Sequence, residues 1–142
     1  SRIILVPHLE HGRHLERLAL ADLFLDTFHV NAHTTASDAL WAGLPVITKI
    51  GQQFAARVAA SLLYAVDMPE LVAQTDEEYE ALIMKFASDK QQLNQLKEKL
   101  QANRLTTALF DTEGYTRNFE KALLEVHQRQ LNGSKVTDYH HD

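Results

Sequence analysis

Two short apolar runs flanking a single short helical stretch constrain this chain more than any other feature. The first is "DLFLDT" (Asp22 to Thr27) and the second is "PVITK" (Pro45 to Lys49). Between them, the spacing predicts a helix from about Thr35 to Ala42, with Ala36, Ala39 and Leu40 on its apolar side. Gly43 and Pro45 supply the stop signals. Strands joined through a helix do not form a hairpin. They pair in parallel as βαβ units with right-handed crossovers. "RIILVP" (residues 2–7) has the same interior character and is expected to be another strand. "HLEHGRHLERLALA" follows it, with Leu15, Leu18 and Ala19 at helical spacing.

After Gly51 the pattern is helical throughout. "QQFAARVAASLLY" places Phe54, Ala55, Val58, Ala59, Leu62 and Leu63 on one face. In "TDEEYEALIMKFA", Tyr79, Leu82, Ile83 and Phe86 form a stripe, and Thr75 with Glu78 matches a capping box. Leu93, Leu96 and Leu100 run along a seam, and a final helix is predicted from about Thr112 to Leu131, carrying Tyr115, Phe119, Ala122, Leu123 and Val126. The expected architecture is therefore α/β, with about three parallel strands followed by a helical C-terminal half. Three strands make a narrow sheet, so residues 1–132 are expected to be an incomplete domain, and residues 133–142 a flexible tail.

Composition narrows the function classes. The 142 residues are 45% hydrophobic and carry a net charge of -5. With a pI of about 5.9, broad attraction to nucleic acid or to an anionic membrane is not expected. A local phosphate site needs only a few aligned donors and stays open. Absence of cysteine removes disulfides and thiolate metal sites and fits a cytoplasmic location. The longest apolar run, "VAASLLYAV", is half a membrane span, and no signal-peptide pattern opens the sequence.

The chemistry concentrates in "AHTTASD". A helix start offers unpaired N–H groups and about half a positive charge. Here the hydroxyls of Thr34 and Thr35 and the His33 ring join those donors at a strand's carboxyl end, where open α/β sheets bind ligands. Asp38, one turn on, has the acceptors for two sugar hydroxyls. Thr35 with Asp38 also matches a plain capping box; spacing leaves both readings open. On the preceding helix, His11, His14 and Arg17 stand at i, i+3 and i+6 and share a face, either as a wall contacting a base or diphosphate or as a solvated surface.

No metal site is expected. His29 and His33 fall in a loop with no further ligand at a metal spacing, and His140 and His141 lie in the tail. No nucleophile elbow or Walker loop is present. Arg57 is read either as a pocket contact or as an exposed cation, and Trp41 as packing.

"HTTASDALWAGLPVIT", followed by "ARVAASLL" and "LFDTEGYTRNFEKAL", resembles the C-terminal catalytic region of the O-linked N-acetylglucosamine (O-GlcNAc) transferase family, and its bacterial members most. The resemblance runs over nearly the whole chain. It implies the C-terminal, partly Rossmann-like lobe of a GT-B glycosyltransferase. Such enzymes move N-acetylglucosamine from UDP-GlcNAc to Ser or Thr hydroxyls of acceptor proteins without a metal or other cofactor. Carried over, His33, Thr34 and Thr35 face the diphosphate and ribose, Asp38 the ribose hydroxyls, and His14 and Arg17 the uridine. His11 stands where animal members have a lysine.

The resemblance also implies that the catalytic histidine and sugar-reading residues belong to an N-terminal lobe, and a phosphate-neutralising lysine to earlier strands. No catalytic residue is expected among residues 1–142, and the chain alone is expected to be inactive. Two alternatives stand beside this reading. One is a non-enzymatic nucleotide-binding or interaction module that forms a homodimer. The other is a different GT-B nucleotide-sugar enzyme, such as an epimerase, against which the "HTT" triplet argues.

Overall fold

A computed structural model describes residues 2–133; the expected tail from residue 134 onward lies outside them. The chain divides into two compact units, Ser1–Leu109 and Phe110–Asp142. In the first, three parallel strands stand side by side in sequence order: β1 (Phe24–Leu25), β2 (Val46–Lys49) and β3 (Val72–Ala73). Phe24 pairs with Val46 and Thr48 with Val72. Five helices accompany them: α1 (His11–Leu18), α2 (Thr34–Trp41), α3 (Val58–Ala65), α4 (Asp76–Ser88) and α5 (Lys90–Asn103). This is the expected partial, parallel α/β sheet.

Central strand β2 carries the core. Val46, Ile47 and Thr48 are buried, and α2, α3 and α4 all pack on this strand. Ala36, Ala39 and Leu40 are buried on α2 as the spacing predicts. Small residues at 36 and 39 let that short helix approach the sheet closely. Gly43, at φ +82°, ends the helix in the left-handed region that glycine enters without strain. Leu93, Leu96 and Leu100 bury the inner side of α5. The α5 helix is tied down by Lys97, which donates to the Ala21 carbonyl (3.1 Å) and the Asp22 carboxylate (2.8 Å). Thr75 caps α4 by accepting from the Glu78 amide (3.2 Å), while the Glu78 carboxylate accepts from the Gln74 amide (2.7 Å).

Four expectations change. Residues 2–7 form no strand; Ile4 and Leu5 are 82% and 93% exposed. An interior-type strand exists only where a neighbour supplies the ladder and other elements cover its faces, and residues 2–7 do not join the three-stranded sheet. The third strand is instead Val72–Ala73, which follows a 3₁₀ turn at Pro69–Leu71. The helix expected across residues 52–64 is broken. A 3₁₀ turn at Phe54–Ala56 precedes α3, and Phe54 points outward, 81% exposed. Gly51 donates to the Ala56 carbonyl at 2.7 Å, and a Cβ at Gly51 would stand 2.5 Å from that of Ala56. This close approach folds the segment back before α3 starts. Trp41 is half-exposed; the Arg104 guanidinium lies over its ring and donates to its carbonyl.

The second unit holds α6 (Thr112–Leu131), with the predicted bounds. Asp111 caps it, accepting from the Gly114 amide (2.9 Å). Tyr115 and Phe119 stack at 6.0 Å, and Glu125 pairs with Arg129 one turn on. The apolar stripe of Tyr115, Phe119, Leu123 and Val126 is exposed.

Candidate functional site

The site grows from the carboxyl end of β1. Asp26, next after the strand, is 5% exposed, and its side chain gathers the loop that follows. One carboxylate oxygen accepts from the amides of Thr27 (2.9 Å) and Ala32 (2.7 Å), and the other from the Thr48 hydroxyl (2.6 Å). Asn31 donates through its amide to the Ala55 carbonyl (2.7 Å) and through its side chain to the Thr27 carbonyl (3.0 Å). The loop thereby delivers the chain to His33, the N-cap of α2.

That helix start is open. His33 makes no side-chain cap; its ring donates from Nε2 to the Ala55 carbonyl (3.4 Å) and meets the Phe54 ring edge-on at 6.2 Å. Thr34 and Thr35 are exposed, and their hydroxyls make no hydrogen bond among the described residues. The Thr35–Asp38 capping box that the spacing allows is not made. Asp38 instead accepts from His11 Nε2 of α1 at 3.2 Å, its carboxylate being largely covered. Bare N–H groups, two hydroxyls and a positive dipole end thus share one surface, and Thr34, Thr35 and Asp38 stand three and four residues apart on the same helix face.

α1 supplies a second wall. Arg17 donates to His14 Nδ1 (2.8 Å) and to the Pro7 carbonyl (2.9 Å), which fixes the guanidinium along the helix. His8, His11, His14 and Arg17 line an open cavity of about 420 Å³. Glu10 caps this helix through the Gly12 and Arg13 amides, which hold its carboxyl below the usual carboxylate range. The structure therefore joins Asp38 to His11, and His11 to His14 and Arg17. His33, Thr34 and Thr35 lie one turn before Asp38. Another cavity, of about 470 Å³, is bordered by Phe54, Arg57 and Tyr64. Arg57 donates to the Gly51 carbonyl (3.1 Å), so it serves the local backbone. Among the described residues, no group of three His, Cys, Asp or Glu is placed to hold a metal, and no helix is long and apolar enough to cross a membrane.

Sequence reading missed Asp26 and Asn31. A carboxylate at the end of an apolar run, followed by Thr, is the available signal; within "DLFLDT" it counts only as part of the strand.

Fold and site together define a parallel α/β unit whose polar, uncapped helix start lies at the carboxyl end of a strand, the place where open sheets take ligands. The sequence profile of glycosyl transferase family 41 matches residues 1–119, and the chain belongs to that family. It is 36% identical over 136 residues to a UDP-N-acetylglucosamine–peptide N-acetylglucosaminyltransferase of Caenorhabditis elegans, covering 96% of this chain and 12% of that one. A probable enzyme of the same description from Arabidopsis thaliana is also 36% identical, over 95% of this chain and 14% of its own length. Among solved structures, an O-GlcNAc transferase mutant of Thermobaculum terrenum superposes with a TM-score of 0.77 at 32% identity, over 84% of this chain and 23% of that one. The chain thus spans about an eighth of the length of these two relatives.

Proposed function

We propose that this chain is the UDP-binding part of a protein O-GlcNAc transferase, in which residues 1–132 contribute to the C-terminal nucleotide-sugar lobe. The observation that carries the reading is the start of α2. The residues of the family motif stand there, and the Thr–Asp pair that would close an ordinary cap is not closed. In this reading the free N–H groups of α2 and the hydroxyls of Thr34 and Thr35 take the diphosphate of UDP or UDP-GlcNAc, beside His33. Helix-end donors and dipole offset phosphate charge, so no metal or other cofactor is needed. Asp38, oriented by His11, accepts from the ribose hydroxyls, while His14 and Arg17 border the uridine.

Transfer to a Ser or Thr hydroxyl of an acceptor protein then needs groups from the N-terminal catalytic lobe, and the chain alone binds without turning over. A cytoplasmic setting suits this chemistry; nucleic acid and membrane have no part in it. Titrating UDP into the isotope-labelled chain tests the proposal. Saturable amide shifts centred on residues 33–38, weakened in Asp38→Ala and Thr35→Val, are expected; undisturbed amides at millimolar UDP, or steady transferase turnover by the purified chain, would refute it.

A second reading, self-association, draws on the exposed apolar stripe of α6 and on exposed Ile4 and Leu5. Light scattering across a concentration series checks it: a mass that stays at one chain throughout removes it.

A further inference from the structure

We infer that Asp26 is a positioning residue for the nucleotide site, acting through the 27–33 loop to hold the start of α2 in its open form. The inference rests on the reading of that helix start as the UDP site. Two features show that the loop needs a clamp. His29 sits at φ 71°, a left-handed conformation that non-glycine residues seldom adopt. Asn31 Oδ1 is buried with no hydrogen-bond partner, a position that polar groups leave when the backbone is free to relax. Against both stands one carboxylate, buried and bonded to three neutral donors. The Thr27 amide marks where the loop leaves the strand, the Ala32 amide lies one residue before the N-cap, and the Thr48 hydroxyl is on the neighbouring strand.

The main chain of Asp26 is anchored as well. Its amide donates to the Ile47 carbonyl (3.0 Å), and its carbonyl accepts from the Tyr79 hydroxyl (2.7 Å). The carboxylate is therefore fixed to the sheet and to α4, and it transmits that rigidity to Ala32. From Ala32 the backbone passes directly into His33 and the exposed N–H groups of Thr34 and Thr35. Asp26 has the geometry of a brace and no path to a ligand of its own, since its oxygens are occupied and enclosed.

The test uses the 142-residue chain in four variants, read by UDP titration and by the free-state amide resonances of Thr34 and Thr35. Asp26→Ala is expected to weaken UDP by about tenfold or more, because three donors lose their acceptor, and to move both resonances before any UDP is added. Asp26→Asn keeps an acceptor for the Ala32 amide, while the Thr48 hydroxyl turns to accept from the new amide; binding is expected within about threefold of the parent. Leu100→Ala, on the buried face of α5, is expected to lower the melting temperature and leave UDP binding unchanged. If Asp26→Ala fails to fold, Thr48→Val decides, with about threefold weaker binding and a shifted Thr34 amide expected. Unmoved amides and full affinity in Asp26→Ala, or in Thr48→Val where it takes its place, would overturn the inference, as would an equal affinity loss in Leu100→Ala. A parent chain that ignores UDP would instead bring down the nucleotide reading, and the free-state amides would still judge whether Asp26 holds the start of α2.

Discussion

The starts of α2 and α5 are capped in opposite ways. At α5, Asp89 accepts from the amides of Gln91 (2.9 Å) and Gln92 (3.0 Å) and also from the Gln92 side chain (2.7 Å). The first turn is closed, and its carboxyl is held below the ordinary range, first by the Gln92 amide. At α2 the N-cap is His33, whose ring makes no cap bond, and the first amides stay bare; Asp38 lies a turn further on and is bonded to His11 of α1. One start has its polar groups satisfied by a side chain; the other leaves them without one. Helix propensity does not separate the two. The difference lies in the N-cap residue: an aspartate at α5, and at α2 a histidine whose ring is turned to the Ala55 carbonyl.

Mutations can break or sharpen this contrast. The largest effect is expected where the two helices depend on the core alike. Leu40→Ala in α2 and Leu100→Ala in α5, both fully buried, should each cost about 2–5 kcal/mol of stability, measured by denaturant unfolding. A marked inequality would mean that the short α2 is held more by its loop than by its apolar face. Next come changes that should separate binding from stability. Thr35→Val is expected to weaken UDP about tenfold with little change in unfolding, whereas Asp89→Ala should lower stability and leave UDP untouched. Were Thr35→Val to destabilise the chain as a lost cap does, α2 would be an ordinary helix after all.

Tyr79→Phe removes the hydroxyl that binds the Asp26 carbonyl and is expected to cost about 1 kcal/mol. Burial first, and the charge of Asp26 second, push this phenol above its ordinary value. Its neutral form is therefore favoured by folding, so the contribution is complete below about pH 10 and is lost as pH rises through the raised value. Absorbance titration should show a late-ionising tyrosine that disappears in Tyr79→Phe. The smallest effect is at Asp89 itself. Its depressed carboxyl contributes stability above the ordinary carboxylate range, lost as pH falls through the folded value. Parent and Asp89→Asn melting curves should therefore converge in acid.

Much of this was legible in the sequence because it rests on local pattern. The β1–α2–β2 cassette, the Thr75 cap, the leucine seam of α5 and the bounds of α6 all follow from spacing and cap chemistry. What escaped depends on partners. Residues 2–7 carry the right side chains for a strand, but a strand also needs a neighbour. β3 is two residues long and, unlike β1, follows a Pro and a Glu rather than sitting in an apolar run. The break before α3 arises from the contact of Gly51 with Ala56. At the site, the motif residues were visible, and the pairing of His11 with Asp38 was not, since 27 residues separate them. Asp26 was hidden for the same reason: its importance lies in who donates to it.

The Tyr79–Asp26 bond spans 53 residues, and this has a consequence for the order of events during synthesis. Chains emerge from the ribosome N-terminus first, and contacts distant in sequence close late. β1, the loop and α2 are all made well before Tyr79, yet the strand end that anchors them is bolted from α4. The start of α2 is thus completed only after a later segment docks, and a nascent chain halted before α4 would carry Thr34, Thr35 and Asp38 behind a loop still free to wander.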